Sequence, residues 1–348
     1  MILRKINANM DEEIYIENIR LMNQVFLDDL NENNGVLPPE TPVEIHPYIN
    51  EFQLQDYDKY IIGTFPPISY VRDKLNIHNN IGNIPNRPRI PFYHGNVCDM
   101  WRLMGINNLE NILELERIQA KNELINFLNI GNINYCDIIY STKRNEYSSK
   151  DKHLKNIVVN EELIKHIFNN KNVNRLLFNT GSPLGITGLK IHVNNVQNGF
   201  ISRINVTNAP NSFDLFIRAC QDLGFKVEFK IDDFAGNIIL DWTEVNIQNA
   251  NTLNHHLKTK IIFKAKITIP VNDELLQNGN EIIKEFIIVT PFSPAARESV
   301  DHNPIVNNWR AANNMENRQV LLELIYSAFV NFNEENIQFL YNLNFQHN

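Results

Sequence analysis

Four apolar runs, each breaking into a polar turn, constrain this chain more than any other feature. They read YIIGTFPP at 60–67, INYCDIIYST at 133–142, NRLLFNTGSP at 174–183 and FIIVTPFSPAAR at 286–297. A short apolar run bounded by Gly, Pro and Ser reads as a buried strand. Between them the spacing predicts helices over 97–104, 110–129 and 160–169, with further helices over 11–30 and 315–332 and a shorter one after the last. Strands alternating with helices predict a parallel α/β sheet. In such sheets ligands gather beyond the carboxyl ends of the strands. That rule brings GTFPP, the loop KRNEYSSKDKHL at 143–154, NTGSP and TPFSPAAR around one crevice.

Residues 190–285 follow another rhythm, with short alternating runs (FKVEFKI, NIILDW, KIIFKAKITI) and one helix near 212–222. They read as a β-rich insertion within a single domain spanning 1–348, of which residues 1–54 form an N-terminal helical extension. No apolar run is long enough to span a bilayer, and MILRKINANMDEE lacks the apolar stretch of a signal peptide. A cytoplasmic protein with no membrane partner is therefore expected. The three cysteines are far apart and none belongs to a CxxC, which argues against a disulfide framework, a structural zinc site or a four-cysteine cluster. A net charge of −8 does not announce a nucleic-acid binder. Yet Arg87, Arg89, Lys143, Arg144, Lys150 and Lys152 collect beside the crevice loops, and local charge steers a ligand more than the sum does.

The stretch PFYHGNVCDMWR at 91–102 mixes aromatics, His, Asn, Asp and Trp in a way no core-filling element needs. Together with IIGTFPP before it, and CDIIYSTKR…SSKD, LLFNTGSP and VTPFSPAAR after it, the order resembles the uracil-DNA glycosylase superfamily. The resemblance is closest to the branch of hypoxanthine-DNA and mismatch-specific glycosylases. It covers roughly residues 55–190 and 284–312. It implies a three-layer α/β/α fold with a mainly parallel central sheet, DNA as partner, no obligatory protein partner, and no metal or cofactor.

Excising a base requires extruding it, stacking it on an aromatic face and stabilising an oxocarbenium-like sugar and an anionic leaving base. Phe65 and either Phe92 or Tyr93 are the expected stacking face. Asp99 or Asn96 is expected to position water, and His94 to help the base leave. The family's asparagine, three residues before tryptophan, is replaced here by Cys98, and Phe65 stands where other branches carry a catalytic Asp or Asn. Asp99 also suits the plainer role of a carboxylate at a helix start. Asn179, which matches the position that contacts the flipped base, presents a donor and an acceptor. Pro66, Arg144, Ser182 and Ser293 are expected at DNA phosphates, and Phe292 or Arg297 as the wedge that fills the vacated stack. Asp137, Arg144 and Asp151 match the family's D…R…D segment, with Asp137 expected to be structural.

The expected activity is thus monofunctional base excision leaving an abasic site, since no lysine sits inside the motifs as a Schiff-base nucleophile. About two dozen residues separate GTFPP from FYHGN, more than the family carries. With the 190–285 insertion they point to a bulky base, such as a modified cytosine of phage DNA in antiphage defence. Uracil or hypoxanthine in base-excision repair is the smaller alternative. A different class, a non-catalytic module that binds nucleic acid or a modified base, follows from the missing acid at Phe65. GSPLGITG at 181–188 lacks the Gly-Lys-Ser/Thr ending of a phosphate loop.

Overall fold

The strand Lys59–Gly63 is buried along its whole length and turns its side chains alternately to two apolar clusters. Tyr60 and Ile62 join one, and Ile61 joins the other. A strand buried on both faces belongs inside a sheet covered on both sides. The computed structural model describes residues 2–4, 24, 28, 32, 40–74, 88–95, 99–148, 150–179, 189–191, 201–203, 211–246, 248–257, 260–270, 282–291, 304–313 and 318–345.

In chain order the strands are β1 (Ile2–Arg4), β2 (Glu44–Ile45), β3 (Lys59–Gly63), β4 (Ile133–Asp137), β5 (Ile139–Arg144), β6 (Leu154–Asn160), β7 (Arg175–Phe178), β8 (Leu189–Ile191), β9 (Ile201–Arg203), β10 (Lys226–Asp232), β11 (Ile238–Glu244), β12 (Ile262–Ile269) and β13 (Ile282–Val289). The helices are α1 (Ile68–Lys74), α2 (Asp99–Leu103), α3 (Leu109–Glu114), α4 (Arg117–Ile130), α5 (Glu161–Asn169), α6 (Ser212–Asp222), α7 (Ala250–Leu257), α8 (Pro304–Asn313), α9 (Arg318–Val330) and α10 (Glu334–Phe345).

The main sheet has seven strands in the order β11-β10-β12-β13-β7-β3-β4. β4, β3, β7 and β13 run parallel to one another, whereas β12, β10 and β11 continue from β13 in antiparallel pairs. The fold is therefore mixed α/β on a partly parallel sheet. The four expected strands form its parallel half. The runs at 226–269, expected as an insertion, supply three strands of the same sheet; periodicity shows that a segment is a strand but not which edge it joins.

INYCDIIYST divides into two strands at Ile138. The Ile138 N–H still donates to the Gly63 carbonyl at 3.0 Å, while its own carbonyl accepts from the Asn160 N–H at 2.8 Å. From there the chain enters a second sheet, ordered β1-β6-β5-β2. β1 and β2 thus give strand pairing to the stretch 1–54 expected to be helical, although Gln24, Asp28 and Glu32 are helical as expected.

The apolar cluster on one face takes residues from α5, α6 and α7, and the other takes residues from α2, α3, α4, α8, α9 and α10. Asparagines start two of these helices. The Asn160 side chain accepts from Leu163 N–H at 3.2 Å, and that of Asn211 from Asp214 N–H at 2.8 Å, as N-caps do. Among the described residues no helix is long and apolar enough to cross a membrane.

Candidate functional site

In this sheet the strand that follows β3 in sequence, β4, lies on one side of it, and the strand that follows β7, β10, lies on the other, beyond β13. The carboxyl ends of β3 and β7 therefore flank a topological switch point, where open α/β sheets leave a crevice. Asn179 follows β7 directly, and its N–H donates to the Ile62 carbonyl of β3 at 2.9 Å. The pairing carries the asparagine to that switch point.

Three further side chains meet it there. His94 Nε2 lies 2.9 Å from Asn179 Nδ2 and 2.8 Å from the Tyr135 hydroxyl, and the Tyr326 hydroxyl donates to Asn179 Oδ1 at 3.3 Å. The Tyr326 bond fixes the amide so that Nδ2 donates, making His94 Nε2 the acceptor and leaving the ring proton on Nδ1. Burial pushes the Tyr135 hydroxyl well above its usual pKa, so it stays a donor. Two donors thus share the single lone pair of Nε2.

His94 adopts φ 51, a left-handed conformation costly for a side chain with a Cβ. The surrounding turn enforces it. Phe92 N–H donates to Ile90 O at 2.8 Å, Gly95 N–H to Phe92 O at 3.1 Å and Ile90 N–H to Gly95 O at 3.1 Å. A Cβ on Gly95 would stand 1.9 Å from the Ile90 carbonyl oxygen, so the loop closes only around glycine. Trp101 holds the turn from below through a 2.9 Å bond from its Nε1–H to the Tyr93 carbonyl.

Two expected stacking residues are corrected by their surroundings. Phe92 is buried against Trp101, with ring centres 5.9 Å apart, and Tyr93 against Tyr135 at 4.5 Å. Both belong to the core beneath the turn. Phe65 does sit at the end of β3, but it is buried, with the edge of His46 at 5.5 Å and the Arg144 guanidinium 5.7 Å from its centre.

Arg144 is likewise placed inward rather than at a phosphate. It is 0% exposed. Its Nε bonds Glu44 at 3.0 Å, Nη1 bonds the Ser148 carbonyl at 2.9 Å and Nη2 bonds the Pro66 carbonyl at 2.8 Å. Pro66, expected at the DNA, is buried and serves as that acceptor. A buried guanidinium needs a carboxylate and further acceptors, and Glu44 of β2 supplies the charge. This buried ion pair also accounts for a short strand in a stretch expected to be helical.

Asp137, expected to be structural, is buried at the end of β4 and accepts from His46 Nε2 at 3.0 Å. His46 Nδ1 accepts the Tyr48 N–H at 3.1 Å, so the ring carries its proton on Nε2. Asp151 is partly buried in the turn before β6, and burial pushes its carboxyl up to about 7 against the pull of Arg144.

Asp99 opens α2. Asn96, Ser182, Phe292, Ser293 and Arg297 lie outside the described residues. The structure therefore unites His94 and Asn179 from the expected set and adds Tyr135, Tyr326, His46 and Glu44. Tyr135 carried a signal, a polar-tipped aromatic within two residues of a strand end. Tyr326 carried none, since it lies in an amphipathic helix far along the chain.

Comparison of the chain with protein-family models, with curated proteins and with solved structures gave no match.

Proposed function

We propose that the chain is a monofunctional DNA glycosylase on a three-layer, uracil-DNA glycosylase-like arrangement. It takes a nucleotide extruded from DNA and hydrolyses its N-glycosidic bond. One observation carries this reading: His94, Tyr135 and Asn179 converge at the switch point, with His94 held in a left-handed conformation. Strained residues at strand ends are where proteins keep binding and catalytic groups. A donor-rich corner suits a leaving base, which carries away the bonding electron pair and accumulates negative charge on its carbonyl.

In this scheme Asp99 or Asn96 orients the water that bonds to the sugar C1′, with Asp99 able to take its proton. His94 helps the base leave by orienting the Tyr135 hydroxyl and the Asn179 amide, which donate to it, and Asn179 also reads its edge through the lone pair left over from its internal bonds. Phe65 lines the crevice floor. The substrate is a bulky modified cytosine of phage DNA, excised in defence, or a deaminated base, excised in repair. β10, β11 and β12 lie beyond β13 from the switch point. The long link between GTFPP and FYHGN is therefore the feature that favours a large base.

The test is incubation with duplexes carrying uracil, hypoxanthine or hypermodified cytosine, followed by alkali and mass spectrometry of released bases. Strand scission on one substrate is expected, falling about 100-fold in both His94→Ala and Asn179→Ala. The packing of Phe65 by His46 and Arg144 favours a second reading, a module that binds nucleic acid without cleaving it. Binding with no scission on any substrate would establish that reading instead.

A further inference from the structure

Helix α6 brings a second polar corner to the same crevice from the other face of the sheet. The Phe213 ring, in its first turn, lies 5.1 Å from that of Phe178, the residue before Asn179. Phe213 belongs to one apolar cluster and Tyr135 to the other. The start of the helix therefore flanks the strand ends opposite His94.

This helix start is only partly satisfied. The Asn211 side chain takes the Asp214 N–H at 2.8 Å, and the Asn211 carbonyl takes that of Leu215 at 3.1 Å. The N–H groups of Ser212 and Phe213 have no bonding partner among the described residues. The Ser212 hydroxyl is the independent sign. Ser212 is 0% exposed, and its Oγ has no hydrogen-bond partner among the described residues. Side chains on a helix tilt toward its N-terminus, which directs the hydroxyl of the first helical residue over the free amides. Buried hydroxyls are almost always bonded, and leaving one bare costs free energy. A group that is not part of the chain would satisfy it.

The geometry points to an oxyanion-binding site at the start of α6, formed by the amides of Ser212 and Phe213 and the Ser212 hydroxyl, for a phosphate group. Two amides at the positive end of an eleven-residue helix, beside a desolvated hydroxyl, form a preorganised cradle for such a group. The Asp214 carboxyl beside it is buried and is pushed up to about 7, so near neutral pH much of it is uncharged and adds little repulsion. If the chain acts on DNA as proposed above, the phosphate is a diester of the strand whose nucleotide enters the crevice. The His94 corner would then hold the base while α6 holds the backbone.

The test uses the full chain and two probes, inorganic phosphate and a single-stranded oligonucleotide, the latter also made with methylphosphonate at single positions. Amide NMR follows Ser212 and Phe213, and thermal melting follows the whole protein. Saturable shifts of both amides with inorganic phosphate are expected, and Ser212→Ala should weaken this binding about tenfold. The same substitution should raise the melting temperature of the free protein, because it removes an unbonded buried hydroxyl, and should abolish most of the phosphate-induced stabilisation. A phosphate response without an oligonucleotide response would support the site and remove its DNA assignment. An oligonucleotide response abolished by one methylphosphonate would support both. If neither probe shifts these amides, or if Ser212→Ala binds phosphate as well as the parent, the site is refuted and a buried water is the occupant.

Discussion

The two halves of the seven-stranded sheet treat their polar residues in opposite ways. In the parallel half, polar groups sit at the strand ends and are satisfied by residues distant in sequence: Asp137 by His46, and Asn179 by His94 and Tyr326. In the antiparallel half, charge runs along the strands on one face and is satisfied by adjacent ones. Glu228 lies between Lys226 at 3.2 Å and Lys266 at 3.0 Å, and Asp232 between Lys230 at 3.1 Å and Lys264 at 2.6 Å. Lys266 also covers Trp242 at 4.6 Å. Buried polar groups at strand ends fix a unique geometry, because losing one partner strands the other. A cross-strand ladder is redundant, and each rung is worth little.

The largest effect that would sharpen this contrast comes from glycine. A Cβ on Gly63 would stand 2.0 Å from Asp137 Oδ1, a carboxylate held in place by His46. Gly63→Ala should cost about 4 kcal/mol or more in urea melts, or abolish folding. Gly236 lies between the antiparallel strands β10 and β11 with φ +87 and open space around it; Gly236→Ala should cost about 1 kcal/mol. Equal costs would break the comparison.

Next in size is Asp137→Ala, which strands the buried His46 N–H and should cost about 3 kcal/mol by chemical denaturation. Asp137→Asn keeps an acceptor and should cost less.

A titration probes α6, which packs on both β3 and β10. Burial raises the Asp214 carboxyl from the usual 3.8 of a free aspartate to about 7 despite Arg218 Nε at 3.2 Å. The folded state therefore holds this proton more tightly than the unfolded chain does. Its stabilising contribution is full below pH about 4 and is lost as the pH rises through about 7, with a total of about 4 kcal/mol. Asp214→Asn should flatten that part of the pH–stability curve, and an unchanged slope would remove Asp214 as its source.

The smallest effect belongs to the ladder. Lys266→Ala should cost about 0.5–1 kcal/mol, and the loss should shrink in high salt. A cost near that of Asp137→Ala would mean that the two halves do not differ.

The parallel half was legible because a buried strand running into a Gly-Pro or Asn-Gly turn carries its own punctuation. YIIG, RLLF and FIIV all emerge as strands at the expected places. The antiparallel strands were legible as strands, but their place in the same sheet was not, since β10 and β12 choose partners by packing that no local pattern records. At the site, the residue types around His94 stood out, whereas the sorting of core from crevice did not. Phe92 and Tyr93 look alike to the sequence, and only the turn closed by Gly95 sends both inward. Arg144 shows the same limit. A lone arginine in a polar loop reads as a surface cation until Glu44, a hundred residues earlier, is found beside it.

Ile138 ties the two sheets together through one residue, with its N–H on Gly63 and its carbonyl on Asn160. Such a joint leaves no slip plane between the sheets. Amide hydrogen exchange at Ile138, Ile139 and Asn160 should then proceed only through global opening, with the sheets behaving as a single foldon and the crevice floor as rigid as the core beneath it.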